Sequence, residues 1–247
     1  MFESLVDEIA LEIEEFDEGN RRSESVRERF RYAVRTILLD CWKASSSIPV
    51  GMCQIRLRSN DYSNTNRYVD QNLAYRQVKK AFEGLLNLGL VFIERKGYYD
   101  RQAFSGGLTQ YVPTKKLLER LTALEGHPSL SVETDLSTFE MVRLRDRVSG
   151  RRMIIDYEDD EITTQYRDNL IVINSEYAKH WFDLRIPDKQ VQELANHLSL
   201  DADKQPIDLS KRYLYRVFTR GSFKKGGRFY GGWWQNVPKK YRPFITI

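Results

Sequence analysis

Residues 73–91 read Leu-Ala-Tyr-Arg-Gln-Val-Lys-Lys-Ala-Phe-Glu-Gly-Leu-Leu-Asn-Leu-Gly-Leu-Val, and how they pack decides the fold. Val78, Ala81, Phe82, Leu85 and Leu86 recur at spacings of three and four, which puts them on one face of a helix. Gly89 supplies a C-terminal stop, and Leu90–Ile93 then has the apolar, β-branched character of a strand. On the open side of the helix stand Tyr75, Arg76, Gln77, Lys79 and Lys80. A helix with an apolar back and a basic, amide-bearing front, running straight into a strand, belongs to a compact mixed domain.

Upstream, Ser23 is a candidate N-cap for a helix striped by Val26, Phe30, Ala33, Val34, Ile37, Leu38 and Cys41. Residues 48–57 read as a short strand, and residues 58–70 are polar and rich in turn residues. Downstream, a polar, glycine-bearing excursion over 94–107 separates the first strand from a second at 108–112. Pro113 and Thr114 then open a short helix carrying Leu117, Leu118, Leu121 and Leu124. This succession over residues 26–124 resembles the winged helix-turn-helix DNA-binding proteins. The resemblance implies that helix 73–88 is a recognition helix, of a diameter that fits the major groove. Tyr75, Arg76, Gln77, Lys79 and Lys80 would then face bases and phosphates, and Lys96, Tyr98 and Arg101 on the wing would reach the neighbouring backbone.

The formal charge of +4 hides a stronger asymmetry. Residues 1–19 carry Glu3, Asp7, Glu8, Glu12, Glu14, Glu15, Asp17 and Glu18 with no basic residue between them. Leu5, Ile9, Ile13 and Phe16 recur there at helical spacing, so 1–19 reads as an acidic helix preceding the domain at 20–124. Its acids suit a solvated face, an internal competitor for a basic site, or a docking face for a protein partner. Residues 209–247 carry ten Lys or Arg and no acid. A contrast of this kind points to a polyanion partner for the basic end.

Residues 125–138, with Gly, Pro and Ser and little pattern, read as a linker to a C-terminal α+β region over 139–247. Residues 139–144 alternate as a strand does, Arg147–Arg151 reads as a turn, and Met153–Tyr157 reads as the return strand of a small hairpin. Helical patterns cover 161–184, 188–198 and 209–219, which makes this region mostly helical. In the last of these, Leu214, Val217 and Phe218 form the buried side and Lys211, Arg212 and Arg216 the exposed one. Beyond it, glycines alternate with aromatic and basic residues. Arg220, Lys224, Lys225 and Arg228 are candidate phosphate ligands. Arg interleaved with flat rings is a combination that single-strand binders use. Phe229, Tyr230, Trp233 and Trp234 serve equally well as core residues beside a tight turn.

Trp234-Gln-Asn-Val-Pro238, followed by Arg242 and an apolar strand, is similar to the segment before the first catalytic motif of family A DNA polymerases. The similarity covers residues 226–247 and implies that a metal-binding carboxylate would come next. The sequence stops at Ile247, and two-metal phosphoryl transfer needs such carboxylates. The chain is therefore expected not to act as an enzyme by itself and to need no metal or cofactor. Two cysteines, Cys41 and Cys53, make no disulfide framework, and no apolar run reaches the ~18 residues of a membrane span. A cytoplasmic protein that meets no membrane is the expectation. The acids of 156–161 are expected to favour the start of the following helix rather than a metal.

The expectation from sequence is an α+β protein with an N-terminal winged helix-turn-helix, acting as a non-catalytic DNA-binding protein of plasmid- or phage-type replication or regulation. The alternatives are the N-terminal portion of a polymerase-like enzyme and a winged-helix adaptor for protein partners.

Overall fold

The computed structural model describes residues 1–16, 23–45, 47–49, 51–62, 67–100, 105–124, 139–200 and 207–246. The expected linker at 125–138 lies outside them. The fold is mixed α+β. The chain divides into two compact units, one of Met1–Thr65, Gln71–Val132 and Glu193–Pro206, the other of Asn66–Asp70, Glu133–Gln192 and Ile207–Ile247.

The first unit runs α1 (Phe2–Phe16), α2 (Glu24–Ala44), β1 (Ser47–Ile48), β2 (Cys53–Ile55), α3 (Tyr75–Asn87), β3 (Val91–Arg95), β4 (Tyr98–Asp100), β5 (Ser105–Gly107), β6 (Thr109–Pro113) and α4 (Lys115–Thr122). β6 lies between β2 and β3 in an antiparallel sheet, and β4 and β5 form a separate two-stranded ribbon. The apolar stripes read from the sequence meet in one core: Phe30, Val34 and Leu38 of α2 with Val78, Phe82 and Leu85 of α3 and Leu117 and Leu121 of α4. Tyr111 of β6 is fully buried there, with its ring edge-on to Phe82 at 5.1 Å.

The acidic helix α1 is part of this core, because Leu5, Val6, Ile9, Ala10 and Ile13 are buried in it. Close approach to α3 is possible because position 84 is glycine, where a Cβ would collide with the Ile13 side chain. Four of the acids of α1 are matched within the same unit. Glu3 pairs with Arg31 at 2.8 Å and Arg35 at 2.7 Å, and Asp7 pairs with Arg31. Glu8 and Glu12 pair with Arg120 of α4 at 2.8 and 2.6 Å.

The second unit contains β7 (Val142–Val148), β8 (Arg151–Ile155), α5 (Glu161–Ala178), β9 (Asp183–Leu184), the start of α6 (Asp188–Leu200), β10 (Ile207–Asp208), β11 (Tyr215–Thr219), β12 (Ser222–Tyr230), two 3-10 turns (Trp233–Gln235, Lys239–Phe244) and β13 (Ile245–Thr246). The sequence reading fails at 209–219, which is not helical: residues 215–219 are strand β11. The expected small hairpin is half of a four-stranded sheet in the order β12-β11-β7-β8. β7–β8 and β11–β12 are antiparallel hairpins, joined by parallel pairing of β11 with β7. Spacings of three and four among Leu214, Val217 and Phe218 fit a helix, but pairing with a strand some seventy residues away decides the outcome.

One side of this sheet is packed. Val142, Leu144 and Phe218 meet Leu170 of α5, joined by half-buried Ile155, Tyr166 and Phe223. The start of α5 is held by a capping box, with the Thr163 backbone N–H donating to Asp160 at 2.7 Å and the Thr163 hydroxyl accepting from the Asp160 N–H at 2.8 Å. Buried Asn174 of α5 takes the place of a strand neighbour for Leu214, accepting from its N–H at 2.7 Å and donating to its carbonyl at 2.9 Å.

Candidate nucleic-acid interface

Strand register decides which side chains share the other side of the four-stranded sheet. Val142 and Leu144 point into the core, so by alternation Arg143, Arg145 and Arg147 of β7 point away from it. The cross-strand partner of Arg147 is Arg152, and that of Arg145 is Ile154. On β11 the same side carries Tyr215, Val217 and Thr219, and β12 adds Tyr230 opposite Tyr215 and Arg228 opposite Val217. A groove of about 650 Å³ lies here, lined by Arg145, Arg147, Arg152, Arg220 and Arg228, with Val217 and Thr219 between them and Asp146 as its one acid. None of these five arginines makes an ion pair among the described residues, although acids elsewhere in the unit are paired.

The loops at the end of the sheet sharpen the arrangement. Ser149–Gly150 joins β7 to β8, and Arg220–Gly221 joins β11 to β12, with φ positive at all four residues. Two consecutive positive φ values make the tight turn that suits the twist of a hairpin. A Cβ at position 221 would lie 2.7 Å from an Asp146 carboxylate oxygen, so a larger residue there would have to displace that side chain. Arg220, at φ 60°, holds a left-handed conformation that costs a non-glycine residue about 1 kcal/mol. An arginine kept there at that cost, and lining the groove, is the kind of backbone outlier that collects at functional sites.

At the opposite end of the groove lies an aromatic cluster. Tyr230 is 38% exposed and stacks on Tyr215, with ring centroids 6.0 Å apart and planes 25° apart. The Arg143 guanidinium sits 4.1 Å from the Tyr215 ring and 4.7 Å from Phe139. Phe139 is edge-on to Tyr213, whose hydroxyl is pushed up to about 12 by burial.

The remaining residues singled out in the sequence fall into three groups. Arg220, Lys224, Lys225 and Arg228 are exposed on the β11–β12 hairpin. Lys211, Arg212 and Arg216 are half-buried and engaged, against the expectation that they line an exposed helix face. Lys211 lies 3.8 Å from Asp208, and Arg212 donates to the His180 carbonyl at 3.0 Å and covers Trp181. Arg216 points to the packed side of the sheet, donates to the Gly227 carbonyl at 3.0 Å and lies over Tyr166, Phe218 and Phe229. In the first unit, Arg76, Lys79 and Lys80 are exposed along α3, and Tyr75 and Gln77 are half-buried. Lys79 pairs with Glu83 at 3.7 Å. Lys96 is exposed just before β4, Tyr98 on β4 is 57% exposed, and Arg101 lies outside the described residues.

Trp233 is fully buried, and Trp234 stacks on Phe182 at 4.9 Å, so both tryptophans serve the core of the second unit. The Gln235–Pro238 stretch bridges the two 3-10 turns, and Arg242 donates to the Val237 carbonyl at 2.9 Å. Of the acids at 156–161, Asp160 caps α5, while Asp156 and Asp159 pair with Arg67 at 2.9 and 2.7 Å. Arg67 lies over the Tyr157 ring at 3.9 Å, and Arg167 joins it on Asp159 and Glu140. Desolvation pulls the Arg67 pKa down, but its bonds to Asp159 and Asp156 outweigh this and raise it. Burial likewise lifts the Tyr157 hydroxyl well above its ordinary value.

Arg145, Arg147 and Arg152 escaped the sequence reading. The signal was present as Arg at alternate positions of a strand whose other positions are Val142, Leu144, Asp146 and Val148. Compared with known proteins, the chain matches no family model, no curated protein and no solved structure.

Proposed function

We propose that this chain is a non-catalytic DNA-binding protein of replication or regulation, with its principal phosphate-binding surface on the sheet of the second unit. The observation that carries the reading is the groove lined by five arginines that make no ion pair among the described residues. Collecting like charges around a cleft costs repulsion unless a polyanion relieves it, and guanidinium groups suit bidentate binding of phosphate.

The first unit contributes duplex contacts in this reading. Its order α2, β2, α3, β3 and β6 supports a winged helix-turn-helix, with α3 as recognition helix and the β4–β5 ribbon as wing. In this reading Arg76 and Lys80, exposed on α3, contact the duplex. We favour this over the adaptor reading, since Glu3, Asp7, Glu8 and Glu12 of the acidic helix pair with arginines of their own unit.

The test is a salt titration of affinity for short duplex and single-stranded DNA, with wild type beside Arg145→Ala/Arg152→Ala/Arg228→Ala. Log affinity is expected to fall steeply with log salt for wild type and much less so for the variant. A shallow wild-type slope, or one that the three substitutions leave unchanged, overturns the proposal.

A further inference from the structure

The groove has two chemically different ends, and phosphate binding uses only one of them. Along the open side of the sheet, successive pairs of outward residues lie about 6.6 Å apart, two strand residues per step. The first step is Tyr215 with Tyr230, the next holds Val217 with Arg228, the third holds Thr219 with Arg145, and the last holds Arg147 with Arg152. An exposed ring stacked on a second ring thus begins a row that continues in guanidinium groups.

We infer that this row binds a single nucleic-acid strand, one base stacking on Tyr230 while the following phosphates lie on Arg228, Arg145 and Arg152. The inference rests on the proposed function and specifies the ligand of the same groove. Tyr230 presents an aromatic surface already positioned by Tyr215, so a base adds a further layer without ordering a mobile side chain. A duplex keeps its base faces stacked inside and offers the groove only phosphates, which leaves Tyr230 without a partner. An acidic peptide would satisfy the arginines and equally leave the tyrosine unused.

The experiment uses the full chain and measures binding of a fluorescent oligothymidine, an abasic strand of equal length, a duplex and polyglutamate. Wild type is expected to prefer oligothymidine to the abasic strand by about tenfold, the worth of one stacked base. Tyr230→Ala abolishes that preference, Tyr230→Phe keeps it, and neither changes the abasic affinity. Equal wild-type affinity for the two strands overturns the inference whether or not any variant folds. In that case, a loss of affinity in Arg145→Ala/Arg152→Ala/Arg228→Ala leaves the phosphate reading standing. If that variant binds every probe as wild type does, the underlying reading fails as well. Polyglutamate binding as tightly as oligothymidine identifies an acidic-protein site and overturns the inference.

Discussion

The two charged ends of the chain are treated oppositely by the fold. At the N-terminus, Glu3, Asp7, Glu8 and Glu12 project from α1 and meet Arg31, Arg35 and Arg120. Near the C-terminus, Arg220 and Arg228 project from a hairpin and are joined by Arg145, Arg147 and Arg152, which lack such matches among the described residues. Both ends look like long runs of one sign in the sequence. The difference teaches that a charge run marks a binding surface only when the fold leaves it unmatched. Matched charge fixes how elements pack, and unmatched charge is available to a ligand.

The largest expected effect tests the unmatched end. Arg145→Ala/Arg152→Ala/Arg228→Ala is expected to lower affinity for single-stranded DNA by about a hundredfold at low salt and to reduce the salt slope by roughly 2–3. Anisotropy titrations at several salt concentrations check both values, and thermal unfolding is expected to stay close to wild type. The matched end predicts the reverse. Arg120→Ala strips the partner from Glu8 and Glu12, and its side chain is only 20% exposed. It is expected to cost ~1–2 kcal/mol of stability in urea unfolding while leaving DNA affinity unchanged.

A smaller effect is expected on α3, whose cations Arg76, Lys79 and Lys80 are exposed and where Lys79 pairs with Glu83. Arg76→Ala/Lys80→Ala should weaken duplex binding about fivefold, with single-strand binding unchanged, if α3 faces the major groove. The smallest concerns pH. The hydrogen bond from Arg31 holds the Asp7 carboxyl below its ordinary 3.8, so the pair stabilises the folded state above that value. The contribution disappears as pH falls through the depressed value, and Asp7→Asn should flatten the acid limb of the stability profile. Because the pair is exposed, the effect should stay under about 1 kcal/mol.

The first unit was legible because its elements are decided locally. The stripe Val78, Ala81, Phe82 and Leu85 defines α3 without reference to anything distant, and Gly89 marks where it stops. The first hairpin of the second unit was legible for the same reason, from Ser149–Gly150 between alternating segments. Strand β11 was not, since its apolar spacing fits a helix and its neighbour β7 is remote in sequence. That one misreading hid the groove. With 209–219 taken as a helix, Arg216 looked exposed, whereas in the sheet it lies over Phe218 and Tyr166 on the packed side. Arg145 and Arg152 meet Arg228 only because β11 carries β12 alongside β7.

The parallel pairing of β7 with β11 also has a kinetic consequence. It matches Val142 with Arg216 and Arg145 with Thr219, contacts that close a long loop holding α5. Each hairpin can form early from its own turn, while their union must wait for a slow, entropically costly closure. Until then the arginines stand on separate ribbons and the groove does not exist. Any ligand that bridges both hairpins would bind only the closed sheet and, by mass action, would resist the reopening of that seam.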